Sequence, residues 1–188
     1  MKKSLSFIMI FNCLTGFIVR SQDIKSLDIV PKKDFEYNSL LKYQKDTLEI
    51  VSCAKYVLFP FGEIDNISQL KTSLLKDFKA TGKKTNDSIS YYYCLETGPN
   101  KLTLLFDTDL DASSHSNITA GLIHSKGIKT INNIQVGMST ESFFRLIFTS
   151  FPNEIIKKYS IVILDYCVNG IRHFYSFRDN KLEQIEYK

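Results

Sequence analysis

The fold is decided by Ser160-Ile161-Val162-Ile163-Leu164-Asp165-Tyr166-Cys167-Val168-Asn169-Gly170-Ile171-Arg172-His173-Phe174-Tyr175-Ser176-Phe177. Two runs of β-branched and aromatic residues flank Asn-Gly, the pair that best fits a two-residue type I′ turn. Such a turn pairs Val168 with Ile171, Tyr166 with His173 and Leu164 with Tyr175. That face, continued by Phe177, is mostly apolar and should cover a helix. The other face carries Ile163, Asp165, Cys167, Arg172, Phe174 and Ser176. It is mixed, as a solvated or partner-binding face is. A second turn at Asp179-Asn180 leads into a last strand over 182–187.

Upstream, the period changes from two to nearly four. Phe143, Phe144, Ile147 and Phe151 form a helical stripe with Ser139 as N-cap, Met138 and Phe143 as a hydrophobic staple, and Pro152 as the stop. A strand over 128–136 precedes it and closes on Val136-Gly137.

The first half follows the same order. Asp34 caps a short helix through Lys45, and 47–61 reads as a strand ending Pro60-Phe61-Gly62. Ile67, Leu70, Leu74 and Phe78 lie on one helical stripe, with Asn66 and Gln69 as a capping box and Thr81-Gly82 as its end. Strands follow over 89–95, 102–106 and 118–124, the first two joined by Gly98-Pro99-Asn100. Phe61-Gly62 matches Val136-Gly137, Tyr93-Cys94 matches Tyr166-Cys167, and Phe106-Asp107 matches Phe177-Arg178. Two copies of one unit account for these matches.

The expected fold is therefore α+β: two repeated units of a helix plus three antiparallel strands, with the helices packed on one face of the sheet. The expected divisions are a signal peptide over 1–21, an N-terminal segment over 22–58, a first repeat over 59–126 and a second over 127–188. The matches turn Tyr91, Tyr93 and Leu95 inward and Tyr92, Cys94 and Glu96 outward. The candidate binding face then consists of Tyr92, Glu96, Asp165, Arg172 and Phe174.

The N-terminus carries its own signature. Met1-Lys2-Lys3 is a basic start, residues 5–19 are largely apolar, and Val19-Arg20-Ser21 fits a cleavage site before Gln22. The chain of 188 residues has 24 Lys+Arg, 20 Asp+Glu and a charge of +4. Loss of Lys2, Lys3 and Arg20 with the leader brings that charge to +1. The paired lysines at 32–33, 83–84 and 157–158 interleave with acids, so the expected partner is not nucleic acid. No second apolar run of membrane length follows the leader.

Beyond the leader stand Cys53, Cys94 and Cys167, with no C-x-x-C spacing. An oxidising compartment permits one disulfide; the alternative is buried apolar thiols. If a pair forms, Cys53 with Cys94 is the expected one. Cys94 and Cys167 hold equivalent places in two sheets, and a disulfide needs Cα atoms within about 7 Å.

Catalytic motifs are absent. His115, His124 and His173 have no His or Cys two to four residues on, so no local metal pair exists. Asp107-Thr108-Asp109-Leu110-Asp111 starts like a calcium loop, but Ala112 and Ile118 replace the Gly and Glu that such a loop needs. It reads as an acidic turn. No P-loop, G-x-G-x-x-G, G-x-S-x-G or H-E-x-x-H occurs. No catalytic residue, cofactor or metal is assigned. Asn66, Asn86 and Asn117 head sequons that matter only in a glycosylating host.

Ile134-Gln135-Val136-Gly137-Met138-Ser139, Phe151-Pro152 and Phe177-Arg178-Asp179-Asn180-Lys181-Leu182 together resemble the BamE/SmpA-like family of small exported proteins. The tandem order resembles that of β-lactamase inhibitor protein. The resemblance implies a periplasmic or extracellular module, including one associated with the outer membrane. It implies that this module binds a protein partner in the envelope or outside the cell, without catalysis, through an open sheet face. The rival expectation is a small exported hydrolase with a site assembled from Asp165, His173 and Asp107.

Overall fold

The computed structural model describes residues 29–35, 37–84, 90–107, 116–168 and 171–188. The expected leader, the Asn169-Gly170 turn, His115, the Asn86 sequon and most of the calcium-like loop lie outside these residues.

In chain order the elements are β1 (Val30–Pro31), β2 (Tyr37–Gln44), β3 (Thr47–Ser52), α1 (Lys55–Leu58), a 3-10 helix (Ile67–Thr72), β4 (Lys79–Lys84), β5 (Ser90–Thr97), β6 (Asn100–Asp107), β7 (Ser116–Ile123), α2 (Thr140–Ile147), β8 (Phe148–Ser150), α3 (Asn153–Ile156), β9 (Ile161–Tyr166), β10 (Arg172–Arg178) and β11 (Lys181–Tyr187). Nine strands form one sheet in the order β2-β3-β9-β10-β11-β7-β6-β5-β4. Every neighbouring pair is antiparallel except β3·β9, which is parallel.

The protein is thus mostly β, and the expected pair of helix-plus-three-strand repeats is overturned. The first expected repeat helix is absent. Its segment makes a 3-10 helix of six residues and then turns into β4. Hydroxyl groups end the helical run. Thr72 Oγ1 donates to the Gln69 carbonyl at 3.0 Å, and Ser73 Oγ donates to the Leu70 carbonyl at 2.8 Å and accepts from the Leu75 amide at 3.1 Å. Such local bonds compete with a helical ladder. The expected stripe also splits, since Leu70, Leu75 and Phe78 are buried whereas Leu74 faces out. Gly82 does not cap a helix. It lies in β4 opposite Tyr93, whose ring occupies the space that a Cβ would need.

Three more segments differ from expectation. The strand expected over 47–61 stops at Ser52, and Lys55–Leu58 form α1. Residues 37–44 form β2 instead of a helix, joined to β3 by a tight turn in which Lys45 takes φ 52°. Residues 128–136 form a loop with one isolated bridge, Lys129 to Gln135. α2 does form on its Ser139 cap, whose Oγ accepts from the Ser142 amide at 3.0 Å. It stops at Ile147, because the next residues pair with β1 as β8 and the Lys32 amide takes the Ile147 carbonyl.

One face of the sheet is covered. Phe143 of α2 packs on Tyr175 and Phe177, with ring centroids 4.7 and 5.3 Å apart. Phe61 meets Tyr187, and Phe35 meets Phe148 edge-on. Leu48, Ile50, Val162, Leu164, Leu102, Leu104 and Leu95 complete a single apolar core beneath these groups. At about 2 kcal/mol for each buried large side chain, this core is the main favourable term in folding.

The β9·β10 register is two residues off the one that the Asn-Gly turn predicts. His173 faces Leu164 and Tyr175 faces Val162. Cys167 has left the β9·β10 ladder, and its amide donates to the Ser52 carbonyl at 3.1 Å. A shift of two preserves which side chains face the core, because the strand period is two.

Candidate partner-binding face

The face that no helix among the described residues covers is organised by register. Glu49, Ile163, Phe174, Glu186, Leu122, Lys101, Glu96 and Lys79 are successive cross-strand partners from β3 to β4. In backbone register Lys42 of β2 stands opposite Glu49. With strands about 4.8 Å apart, the row from Glu49 to Lys79 is about 34 Å long.

Asp165, Arg172 and Phe174 come together at one end. Arg172 donates to Glu49 at 3.0 Å and approaches Asp165 at 3.4 Å. Its guanidinium also lies 5.4 Å from the Phe174 ring centroid. Lys188 sits 4.9 Å from the same ring and pairs with Glu186 at 3.0 Å. Phe174 is thus flanked by two cations, each held by a carboxylate. Tyr92 and Glu96 stand apart from this cluster. They lie on β5, four strands and about 19 Å from β10. There Glu96 pairs with Lys101 at 2.9 Å, and Tyr92 is 43% exposed. The five expected residues therefore share a face but form two patches.

Sequence reasoning missed Glu49, Glu186 and Lys188. For Glu49 a signal was present: Thr47-Leu48-Glu49-Ile50-Val51-Ser52 alternates half-buried and buried. What was missing was the long-range partner, since nothing local shows that β3 docks on β9.

The expected Cys53–Cys94 pair is also corrected. The disulfide joins Cys53 to Cys167, whose Cα atoms are 5.0 Å apart, and Cys94 is a free thiol. Parallel pairing of Ser52 with Tyr166 places the two cysteines side by side just past the ends of β3 and β9. Cys94 faces Thr81 and Thr103 in the other half of the sheet.

The groups of the rival hydrolase site are not brought together. Asp165 lies on the open face, and His173 lies on the covered one. Asp107 ends β6, three strands from β10. His173 is 1% exposed, its Nδ1 is 3.0 Å from the Tyr175 hydroxyl, and its ring meets Tyr187 edge-on. Burial lowers its pKa to about 3, against a weaker opposing effect of a backbone hydrogen bond at Val57. Burial likewise raises the Tyr175 and Tyr187 phenols above their usual range.

Among the described residues, no three His, Cys, Asp or Glu side chains are grouped to hold a metal ion. No helix there is long and apolar enough to cross a membrane. Neither a family model, nor a curated protein, nor a solved structure matches the chain.

Proposed function

We propose that this chain is an exported, non-catalytic module that binds a protein partner, or assembles with one in the envelope, through the open face of its sheet. One observation carries the reading: a registered row of mostly charged side chains, with Phe174 among them, crosses the sheet from β3 to β4 on the side that no helix among the described residues covers. Arg and aromatic residues dominate binding energy at protein interfaces, and this face offers Arg172, Phe174 and Tyr92. The two patches suit a partner that spans the sheet, with Tyr92 as one anchor and the Arg172–Phe174–Lys188 stack as the other.

Export is supported by the basic and apolar leader, by the Cys53–Cys167 disulfide and by the BamE/SmpA-like residues around Gly137-Met138-Ser139. These features suit a periplasmic or extracellular protein.

The test is capture of partners from envelope extract on immobilised residues 22–188. A Tyr92→Ala/Phe174→Ala double variant is the comparison. The expected result is loss of the specific partner from the variant while its far-UV circular dichroism is unchanged. Retention of the same proteins at the same yield by both chains would remove the open face from consideration.

A further inference from the structure

The nine-stranded sheet ends in β2 on one side and in β4 on the other, and the two edges differ. The β2·β3 register slips between Tyr37 and Leu41, and such an irregularity turns an edge away from a straight neighbour. β4 has none. Lys79 to Lys84 pair one for one with Glu96 to Tyr91, without a bulge or a proline. Among the described residues, no strand and no backbone hydrogen bond reaches the outer side of β4. Every second residue of the strand thus turns its amide and carbonyl outward, along about 20 Å.

The faces of β4 are open as well. Lys79, Ala80, Thr81 and Gly82 are all exposed. At Gly82 a Cβ would stand 2.5 Å from Tyr93 Cε1, so the Tyr93 ring lies over the β4 backbone. Tyr91 stacks on Tyr93 with centroids 6.5 Å apart, and Phe106 meets Tyr93 edge-on at 5.3 Å. Tyr93 is only half-buried. The aromatic cluster therefore ends at the margin of the sheet, where an apolar side chain placed beside Gly82 would cover it.

The charge of this edge has one sign. β4 contains Lys79, Lys83 and Lys84 and no acid. Glu96, opposite Lys79, is taken by Lys101 at 2.9 Å, and Lys76 and Asp77 just before the strand cancel. Like charges in facing positions repel, so the lysines oppose pairing with the same edge of a second copy. The same lysines favour an acidic strand, whose carboxylates on alternate residues would fall opposite Lys79 and Lys83.

We infer that the outer edge of β4 takes up an extended acidic segment of a partner protein as a further strand. Main-chain hydrogen bonds hold the segment, its carboxylates meet Lys79 and Lys83, and its apolar residues fall beside Ala80 and Gly82 against Tyr93. This mode is separate from the side-chain contacts proposed for the open face.

The probe is acetyl-Thr-Glu-Val-Thr-Val-Glu-Thr-amide, whose palindromic order presents Glu to both lysines in either strand direction. Titrated into the full chain with amide hydrogen exchange as the readout, it should bind saturably and slow exchange at alternate amides of β4. Two N-methylated forms of the probe, one blocked at both Glu nitrogens and one at both Val nitrogens, should differ. One should lose binding and the other keep it, since a strand pairs with each neighbour through every second residue. Lys79→Glu/Lys83→Glu should bind the probe about tenfold more weakly and should prefer the same peptide with Lys in place of Glu. Phe174→Ala should bind the probe as the parent does, so failure of the open-face reading and failure of this inference are told apart. Absence of saturable binding at about millimolar peptide would overturn the inference. So would equal behaviour of the two N-methylated forms, or an unchanged affinity in the charge-reversed chain.

Discussion

Arg172 on β10 donates to Glu49 on β3 at 3.0 Å, reaching across the intervening β9. The link therefore ties the N-terminal hairpin to the last meander. The Glu49 side chain is 13% exposed and that of Arg172 is 40% exposed, so the carboxylate is the more desolvated partner. Removing the cation strands that carboxylate, and the cost exceeds what a surface pair is worth. Arg172→Met should lower stability by about 1–2 kcal/mol, less than for a fully buried pair because the arginine is partly solvated. Glu49→Gln should cost less, and the double variant should be more stable than the two single effects predict. Urea midpoints of the four proteins give the coupling directly; strict additivity would show that the pair contributes nothing.

Cys53 and Cys167 close a loop of 114 residues. A cross-link over that separation removes much of the unfolded chain's freedom, and the polymer estimate is about 4–5 kcal/mol. Cys53→Ser/Cys167→Ser should therefore unfold at markedly lower denaturant, and reduction of the parent should bring it to the same midpoint. Peptide mapping without reduction should recover 53 linked to 167 and Cys94 as an alkylated thiol. A linked peptide containing Cys94 would contradict the structure.

The limits of the sequence lie at these two links. The antiparallel strands from β5 to β7 and from β9 to β11 are local: alternation and the turns at Gly98-Pro99 and Asp179-Asn180 mark them within a residue or two. Asp179 and Asn180 even carry the two positive φ values, 50° and 59°, that a type I′ turn requires. The parallel β3·β9 pairing joins segments more than a hundred residues apart and has no local signature. The disulfide and the Glu49 contact followed from that pairing, so both were invisible. The false helix over 65–82 has another cause. Its apolar spacing was helical, but the Thr72 and Ser73 hydroxyls satisfy the backbone locally and end the run after one short 3-10 helix. The open face was legible because period-two alternation decides facing even when the register is off by two. Its division into two patches was not, because strand order cannot be read from alternation.

His173 makes folding sensitive to acid. Its pKa is lowered from 6.5 to about 3 by burial, so the unfolded chain takes up a proton that the folded chain refuses. Stability from this group is complete above about pH 7 and is lost as pH falls from about 6.5 toward 3, with a slope approaching about 1.4 kcal/mol per pH unit in the middle of that range. His173→Gln should be less stable at pH 7, since the Tyr175 hydroxyl loses the imidazole, and its stability should fall less steeply between pH 6 and 4. Urea titrations at several pH values compare the slopes. Imidazole nitrogen shifts of the parent should report a neutral ring down to at least pH 4.5, and a ring that titrates near 6.5 in the folded state would refute the argument.

The two halves of the sheet meet at β7 and β11 through three register pairs: Ile123 with Ile185, Leu122 with Glu186, and Gly121 with Tyr187. The pairing is short, so packing at each pair matters. Gly121 faces the core, where a Cβ would stand 2.4 Å from Leu102 Cδ2, 3.1 Å from the Tyr187 ring and 3.2 Å from the Lys101 carbonyl. Leu102 and Tyr187 are each 1% exposed, so neither has room to retreat. The glycine is thus a steric requirement of the seam, with no positive φ involved. Gly121→Ala should destabilise the protein by about 1–3 kcal/mol, the usual cost of overpacking a filled core. A Gly121→Ala/Leu102→Ala pair should lose less than the sum of its parts, because the smaller residue at 102 vacates the space that the new methyl needs. Hydrogen exchange at the β7 and β11 amides should accelerate in Gly121→Ala before exchange in β9 and β10 does, since the strain falls on the seam. Uniform acceleration across all strands would place the effect elsewhere.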